Sequence, residues 1–251
     1  MAHILGVITA RGGSKSIPKK SIAPCAGKPL LWYTIRAAQG SQLLTRLIIS
    51  TDDPEMADVG RDQGVEVPFL RPGELALDDT PDLPVFEHAL QWLGDHEGYV
   101  PDAVVHLRPT SPLKATADIA RAIRILADHP EADSVRAVCP TPYSPFKMYT
   151  VGSDGRLQSF LTKEFPDIFE KYREPHNMPN QFLPSIVFPF AHIDVVRAGT
   201  ITAKHSMSGT HILPVFFDAW RSVDIDSPRD LAYAEIVIDA LRKKGKEPWE
   251  S

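Results

Sequence analysis

The sequence predicts an α/β fold in which a mostly parallel sheet is covered by helices on both faces. Two observations predict it. Short apolar runs alternate with helix patterns through residues 1–139, and polar loops rich in glycine or proline follow several of these runs. A short, continuously apolar run is typical of a strand buried on both faces, and its alternation with helices is typical of parallel βαβ units.

The first two strand-and-helix pairs are marked by their end signals. Ile4–Thr9 is the first predicted strand, and Pro29 then opens a helix that Gly40 closes. Leu47–Ser50 is the second strand, and Asp53 caps the helix that follows it.

The same alternation continues to residue 138. Val65–Phe69 is predicted as a third strand, followed by a helix over 80–93. Ala103–Leu107 and Ser134–Val138 are the next two strands, and a helix over 115–127 lies between them.

The pattern changes after Cys139. Residues 140–221 contain many prolines, an Asp154-Gly155 pair typical of a hairpin turn, and the β-rich run Ser185–Val196. We therefore expect residues 140–221 to form a lobe inserted into the α/β domain. The α/β pattern returns at Ser222–Asp226 and a capped helix, so the domain comprises residues 1–139 and 222–245.

Composition excludes several classes of protein. The chain has 251 residues, of which 43% are hydrophobic and 24% charged, enough for a large core. A net charge of −5 disfavours nucleic acid as a partner, and no apolar run approaches the ~18 residues that span a bilayer. Cys25 and Cys139 are too few and too far apart for a disulfide framework or a zinc site. We expect a cytoplasmic protein with reduced thiols.

The strongest local signal is the loop Ala10–Lys20 after the first strand. Its paired glycines allow close approach of the backbone to a polyphosphate, and it carries four cations within ten residues. It matches neither the P-loop nor the GxGxxG pattern. The alternative is a flexible surface loop with solvated lysines. Its place at the carboxyl end of a strand favours ligand binding. The residues expected to hold phosphate are Ala10, Arg11, Gly12, Gly13, Ser14 and Lys20.

Asp224-Ile225-Asp226 is the second signal. Alternation along an extended segment turns both carboxylates to one side, where they can share a hard cation. The alternative is that both merely cap the following helix, although Ser227 is already a suitable cap.

Two further loops follow predicted strands. Arg108–Lys114 contains two prolines, two hydroxyl residues and two cations, which is typical of a rigid recognition loop as well as of a plain turn. Leu70–Ala76 carries Arg71, which suits either a ligand contact or an ordinary surface cation.

Together these motifs resemble the acylneuraminate cytidylyltransferase family, the CMP-sialic acid synthetases. The family pattern A-R-G-G-S-K-x-[IL]-P-x-K-N corresponds to Ala10–Ser21. The other matching segments are Gly27–Leu30, Ile49–Asp52, Arg71–Ala76 followed by Asp78, Arg108–Lys114 and Asp224–Asp230. The order and spacing of six motifs make the resemblance specific.

The resemblance implies a Rossmann-like domain with a protruding β-rich dimerisation lobe, and hence a homodimer. It implies a reaction in which the anomeric hydroxyl of a 2-keto sugar acid attacks the α-phosphate of CTP, with Mg²⁺ as cofactor. It also assigns roles. Arg11, Lys20 and Asp224 are expected to be catalytic, Arg71 and Asp78 to join the phosphate loop in binding nucleotide, and Asp224 and Asp226 to hold the metal. The sugar is expected to contact Arg108, Thr110, Ser111, Lys147 and Phe182.

The departures from the family pattern concentrate in its sugar half. Arg108 replaces a Gln, Lys114 replaces an Arg, and Ser185-Ile186 stands at the family's Asn-Gly pair. A related acid, such as legionaminic, pseudaminic or another 2-keto-3-deoxy sugar acid, is therefore expected at least as much as sialic acid. Two other readings stay open: a nucleotidyltransferase acting on a sugar phosphate, and a catalytically silent protein that binds sugar nucleotides.

Overall fold

The computed structural model describes residues 3–141 and 143–250. A six-stranded central sheet has the order β10-β6-β9-β5-β1-β4, and two small antiparallel pairs, β2-β3 and β7-β8, lie outside it. The strands are β1 (Ile4–Thr9), β2 (Pro24–Cys25), β3 (Lys28–Pro29), β4 (Arg46–Ser50), β5 (Ala103–Leu107), β6 (Ser134–Pro140), β7 (Tyr149–Val151), β8 (Leu157–Ser159), β9 (Val187–Arg197) and β10 (Ile212–Phe216).

The prediction of a mostly parallel sheet is confirmed. β1 pairs in parallel with β4 and with β5, so that Val7 lies opposite Ile48 on one side and His106 on the other. β10 also pairs in parallel with β6. β9 runs antiparallel to β5 and lies between β5 and β6. The carboxyl ends of β1, β4 and β5 therefore meet at one edge of the sheet.

Helices flank this sheet, and several begin where the sequence signals indicated. Asp53 accepts hydrogen bonds from the amides of Glu55 and Met56 at the start of α2, and Ser227 and Asp230 form a capping box at the start of α7. The helices are α1 (Leu30–Gly40), α2 (Pro54–Asp62), α3 (Asp82–Glu97), α4 (Thr116–Asp128), α5 (Pro166–Tyr172), α6 (Ala198–Thr202) and α7 (Pro228–Arg242). Among the described residues, no helix is long and apolar enough to cross a membrane.

Both faces of the sheet are buried. One hydrophobic cluster joins alternate residues of the strands, such as Leu5 and Val104, to Phe86 and Leu93 of α3. Neighbouring strand residues point to the opposite face and are equally buried: Ile8, Ile49 and Leu107. A strand buried on both faces needs a mostly apolar run, and such runs at Ile4–Thr9, Leu47–Ile49 and Ala103–Val105 made β1, β4 and β5 recognisable from sequence.

Two predicted strands do not form. Val65–Phe69 runs beside β4 but makes only isolated bridges at Glu66 and Leu70. Pro68 has no amide hydrogen to donate, so the ladder cannot continue through it. Ser222–Asp226 has no regular secondary structure and pairs with no strand; the amide of Ile225 instead donates to the carbonyl of Thr110 at 2.9 Å.

The chain divides into two compact units. The larger contains the sheet and comprises the described residues of 1–138 and 189–251, whereas the smaller is Cys139–Phe188. Residues 189–221, which the sequence placed in the lobe, thus belong with the sheet. The reason is that the β-rich run at 185–196 becomes β9, which pairs with β5 over five residues from Ile193 to Arg197.

The smaller unit contains the predicted hairpin. β7 and β8 pair in antiparallel fashion, and Gly155 in their turn has a φ of 75°, a left-handed conformation that favours glycine. Helix α5 and short 3₁₀ turns make up most of the remainder, and Phe146 packs edge-on against Phe165.

Candidate active site

A polar cleft of about 300 Å³ lies in the larger unit at the carboxyl ends of β1 and β5. Four segments that are distant in sequence line it: 9–21, 71–85, 108–110 and 224–226. The open edge of a parallel sheet is where ligands of this kind of fold bind. The lining residues predicted from sequence are Arg11, Ser14, Lys20, Arg71, Asp78, Arg108, Thr110, Asp224 and Asp226.

The glycine loop is anchored to the strand beside it. The amide of Ala10 donates to Ser50, and the amide of Gly12 donates to Asp52 at 3.1 Å. A Cβ at Gly12 would lie 2.8 Å from a carboxylate oxygen of Asp53, so this approach requires glycine, whereas Gly13 faces open space. Ala10, Gly12 and Gly13 thus shape the loop from outside the cleft lining, while Arg11 and Ser14 line it.

Asp78 gathers the cations of this loop. Arg11 contacts it at 2.9 Å and also donates to the carbonyl of Leu77, while Lys15 contacts it at 2.6 Å. The hydrogen bond from Lys15 is the main cause that holds the pKa of Asp78 below its ordinary value. Two cations are therefore already arranged around one carboxylate at the cleft.

Lys20 reaches the opposite wall. Its ammonium group contacts Asp226 at 2.8 Å, and its side chain is only 13% exposed although that of Asp226 is 75% exposed. The backbone of Asp226 is in turn fixed by the carboxylate of Asp230, which accepts from its amide at 3.2 Å. The pair links the glycine loop to the segment before α7.

Asp224 is the more enclosed of the two paired aspartates. Its Oδ1 is buried and has no hydrogen-bond partner. Burial raises the pKa of Asp224, and a hydrogen bond with the Thr110 side chain opposes that rise. A carboxylate oxygen left without a partner in a polar cleft is poised to accept a cation or a donor from a ligand.

Arg71 is part of the wall and is itself buried, with 6% of its surface exposed. Its guanidinium donates to the carbonyl of Ala10 at 2.9 Å and lies 3.6 Å from Asp52. Burial lowers the pKa of Arg71, and its Nε has no partner. The arginine thus braces the glycine loop as well as lining the cleft.

Arg108 has two carboxylate partners. It contacts Asp82 at 2.7 Å and Asp194 at 3.0 Å, and Arg136 contacts the other oxygen of Asp194 at 3.0 Å. Burial disfavours the charge of Arg108, but Asp194 and Asp82 outweigh it and raise its pKa. The carboxylate of Asp102, one residue before β5, accepts a hydrogen bond from the amide of His3.

A buried histidine of β5, His106, lies near Asp82. His106 Nε2 is 2.8 Å from the Thr9 hydroxyl, and burial lowers the pKa of His106 well below its usual range. The ring is therefore neutral at neutral pH. Its Nδ1 has no hydrogen-bond partner and lies 3.8 Å from Asp82.

Ser111, which was predicted to face the sugar, does not line the cleft. It is fully buried, and its hydroxyl lies 2.9 Å from His192 Nδ1. The loop turns at this point, so that Thr110 faces the cleft and Ser111 faces the interior. Lys114 of the same loop is also fully buried, and its ammonium donates to the carbonyls of Arg108 and Ser111.

Lys147 and Phe182 belong to the smaller unit. Lys147 ends the 3₁₀ turn Pro145–Lys147, and Phe182 ends the turn Asn180–Phe182 with 52% of its surface exposed. Their assignment to the sugar remains a prediction.

Sequence reasoning missed Asp82, Asp194 and His192. For the last two a signal existed, because they are the polar residues in the otherwise apolar run Phe190–Val196. A charge or an imidazole inside a buried strand needs a partner, and that need points to an internal network.

Comparison with known proteins identifies a family and several relatives that this chain resembles. The model of the cytidylyltransferase family matches residues 5–177. "Post-translational flagellin modification protein B" of Campylobacter coli is 26% identical over 98% of this chain and 100% of its own length. "CMP-N,N'-diacetyllegionaminic acid synthase" of Legionella pneumophila is 30% identical over 94% of this chain and 97% of its own.

The fold has a close counterpart among solved structures. The structure of CMP:2-keto-3-deoxy-manno-octonic acid synthetase complexed with CTP superposes with a TM-score of 0.67. The match covers 95% of this chain and 99% of that one at 15% identity, so it shows the fold. With the family model matched over residues 5–177, more than half of its length, the chain belongs to the cytidylyltransferase family and is a nucleotidyltransferase enzyme.

Proposed function

We propose that this enzyme transfers CMP from CTP to the anomeric hydroxyl of a 2-keto-3-deoxy sugar acid. The hydroxyl oxygen bonds to the α-phosphorus, the bond from that phosphorus to the bridging oxygen of the β-phosphate breaks, pyrophosphate leaves, and the hydroxyl proton passes to water. One observation carries the proposal: a single cleft sets the cations Arg11 and Lys20 opposite the carboxylates of Asp224 and Asp226. Phosphoryl-type transfer mainly needs such positioning and charge neutralisation.

The names of similar proteins support the acceptor class. The Legionella relative is named for CMP-N,N'-diacetyllegionaminic acid, and the superposed structure is named for CMP:2-keto-3-deoxy-manno-octonic acid. Both names join CMP to an acid, which is the product class proposed for this chain.

On the nucleotide side, Arg11 and Lys20 are proposed to hold the triphosphate. Both cations already rest on carboxylates at the cleft, Asp78 and Asp226. A triphosphate offers several charged oxygens and is a stronger partner for these side chains than one half-exposed aspartate. Arg71, fixed against the carbonyl of Ala10, is proposed to lie near the cytosine.

The same cleft fits a divalent metal ion. The unpartnered Oδ1 of Asp224 and the Asp226 oxygen that now contacts Lys20 are hard oxygen ligands. In the described chain no group of three or more His, Cys, Asp or Glu side chains could hold a metal by itself. Mg²⁺ suits this, because it is usually held by one or two carboxylates together with substrate phosphates and water. We assign Mg²⁺ to Asp224 and Asp226, where it would neutralise charge on the phosphates.

On the acceptor side, the sugar is proposed to lie against Arg108 and Thr110 at the end of β5. Arg108 is held by Asp82 and Asp194, so its guanidinium is a fixed donor at the cleft wall. A part in sugar binding for Lys147 and Phe182 of the smaller unit is likewise proposed.

The test is pyrophosphate release from CTP and Mg²⁺ with a panel of keto sugar acids and a parallel panel of sugar phosphates. We expect turnover with at least one keto acid and a CMP-sugar mass in the product. Turnover only with sugar phosphates would establish a nucleotidyltransferase that acts on a sugar phosphate. Tight binding of CMP-sugar without turnover would establish a catalytically silent binding protein. Asp239→Asn, an exposed carboxylate on α7, is the matched control for variants of the aspartate pair.

The proposed homodimer is supported by the surface of the smaller unit. Within its described residues, ten large apolar side chains are exposed: Tyr143, Met148, Tyr149, Val151, Leu157, Phe160, Phe165, Phe182, Val187 and Phe188. So much exposed apolar surface in one short unit is typical of an interface. Light scattering should give a dimer. Val151→Lys, at a side chain 71% exposed, should weaken it, whereas Val100→Lys, 75% exposed on the larger unit, should not.

A further inference from the structure

Four buried polar side chains form a continuous chain beneath the cleft. Ser111 Oγ lies 2.9 Å from His192 Nδ1, and His192 Nε2 lies 3.2 Å from Asp118 Oδ2. Arg221 contacts both oxygens of Asp118, at 3.1 Å for Oδ1. Ser111 and His192 are fully buried, and Asp118 and Arg221 are 4% and 9% exposed.

The protons of this chain have one consistent arrangement. Burial lowers the pKa of His192 to about 3, so the ring is neutral. Burial would raise the pKa of Asp118, but the hydrogen bond from His192 and the charge of Arg221 lower it, so Asp118 is ionised. A carboxylate only accepts, which places the ring proton on Nε2. Nδ1 then accepts a hydrogen bond from the hydroxyl of Ser111.

A hydrolytic triad uses the same residue types as Ser111, His192 and Asp118, but these three residues cannot catalyse hydrolysis. Ser111 has no exposed surface and does not line the cleft, so no substrate reaches its oxygen. The role of the chain is therefore to hold other groups in place.

Two parts of the cleft wall are connected to these four hydrogen-bonded side chains. On one side Arg221 donates to the carbonyl of Leu113, and Asp118 accepts from the amide of Ala115 at 2.8 Å. These contacts hold the end of the loop that carries Arg108 and Thr110. On the other side Arg221 lies three residues before Asp224 in the chain.

The two sides also meet at the cleft itself. The amide of Ile225 donates to the carbonyl of Thr110 at 2.9 Å, which joins the acceptor loop to the residue between Asp224 and Asp226. The acceptor loop and the aspartate pair therefore share one buried support, with His192 at its centre. A support of this kind sets distances between groups that must act together.

We propose that His192, linked to Ser111, Asp118 and Arg221, is a positioning residue that fixes the Arg108–Ser111 loop relative to Asp224 and Asp226. This rests on the proposed function, since the aspartate pair is taken to bind the metal–triphosphate. Loss of His192 should lower kcat and weaken metal binding, while leaving the phosphate cations Arg11 and Lys20 untouched.

The test compares His192→Phe, which keeps a ring but removes both hydrogen bonds, with His88→Phe on α3 as the matched control. We expect kcat per active site to fall about 10- to 100-fold, on the scale of a misplaced reacting group. The Mg²⁺ concentration for half-maximal rate should rise several-fold in His192→Phe alone. His192→Gln, whose amide can still donate to Asp118, should recover much of the loss.

A second readout does not need turnover. Mn²⁺ affinity in the presence of CTP, measured by electron paramagnetic resonance, should weaken in His192→Phe and not in His88→Phe. If the wild type turns over no acceptor, the proposed function fails, and this measurement still decides the positioning role. Should His192→Phe not fold, Ser111→Ala removes only the terminal bond and should show the same direction of change. Unchanged kcat and unchanged Mn²⁺ affinity in a folded variant would overturn the proposal.

Discussion

Lys20 and Asp226, which are 206 residues apart in the sequence, form an ion pair of 2.8 Å across the cleft. The contact joins the glycine loop after β1 to the segment before α7. It also sets a cation and an anion where the triphosphate and its metal are proposed to bind. On substrate binding, Lys20 would exchange Asp226 for the triphosphate, and Asp226 would exchange Lys20 for the metal ion. Both residues are therefore sensitive targets for substitution.

Removing either carboxylate of the pair should abolish most activity. Asp224→Asn or Asp226→Asn should lower turnover by about 10²-fold or more, on the scale of losing one electrostatic stabiliser of the transition state. The melting temperature should hardly change, because Asp224 Oδ1 has no partner to lose and Asp226 is largely exposed. Pyrophosphate release and thermal denaturation check this, with Asp239→Asn as control. Near-normal turnover in both variants would remove the metal assignment.

The nucleotide should be read by its base. UTP replaces the cytosine amine by an acceptor, so polar groups arranged around that amine would be left unpaired at a cost of about 1–3 kcal/mol. We expect kcat/KM for CTP to exceed that for UTP by roughly 10-fold or more. Equal values for the two nucleotides would contradict cytosine recognition.

Arg108 should affect both stability and acceptor choice. Arg108→Gln leaves Asp194, whose side chain is 6% exposed, with Arg136 as its remaining ion-pair partner, so the variant should be less stable by about 1–3 kcal/mol. The ranking of keto-acid acceptors should change while the KM for CTP stays nearly constant. Arg108→Gln combined with Asp82→Asn should be less destabilised than the sum of the single changes, since the two side chains are partners.

Kinetics with three acceptors, together with melting curves, separate the two roles of Arg108. If all acceptors slow equally and only stability falls, the arginine braces the loop and does not contact the sugar.

Stability should depend on pH through Lys114. Burial lowers the pKa of Lys114 to about 7, while in the unfolded chain it stays near 10.5. Between these values the unfolded state binds more protons, so the free energy of unfolding should rise with pH from this group. The slope is at most ~1.4 kcal/mol per pH unit for one proton.

Urea denaturation between pH 7 and 8.5 measures this slope. In the unfolded chain His106 and His192 still bind protons at the lower end of that range and Cys25 begins to titrate at the upper end, so the contribution of Lys114 is taken as the difference between the wild type and a variant that lacks it. Lys114→Met should lose the contribution, and Lys244→Met, on an exposed side chain, should keep it. The same slope in both variants would show that Lys114 is not the source.

Much of the fold was accessible from sequence because the signals are local. β1 is a largely apolar run and β5 is one interrupted by His106, and Asp53 and Ser227 are capping residues that act within three residues of themselves. The glycine loop and the Asp224-Asp226 pair were recognisable for the same reason: glycines, cations and alternating carboxylates reveal their chemistry within a few positions.

Other outcomes depended on contacts between distant segments. Val65–Phe69 and Ser222–Asp226 have strand-like patterns. Whether such a segment joins the sheet depends on whether a neighbouring strand lies where its backbone can form a ladder of hydrogen bonds with it. The run at 185–196 was read as part of the lobe, and only its pairing with β5 shows that it completes the sheet.

The sequence by itself thus determined the class of fold and identified nine of the residues that line the cleft. Tertiary structure decided that Thr110 faces the cleft and that its neighbour Ser111 faces the interior. It also brought Asp82 and Asp194 to Arg108 as ion-pair partners. The physical reason is that caps and turns are satisfied within a few residues. A buried charge or hydroxyl takes whichever partner the packed elements bring to it, and no local pattern specifies that partner.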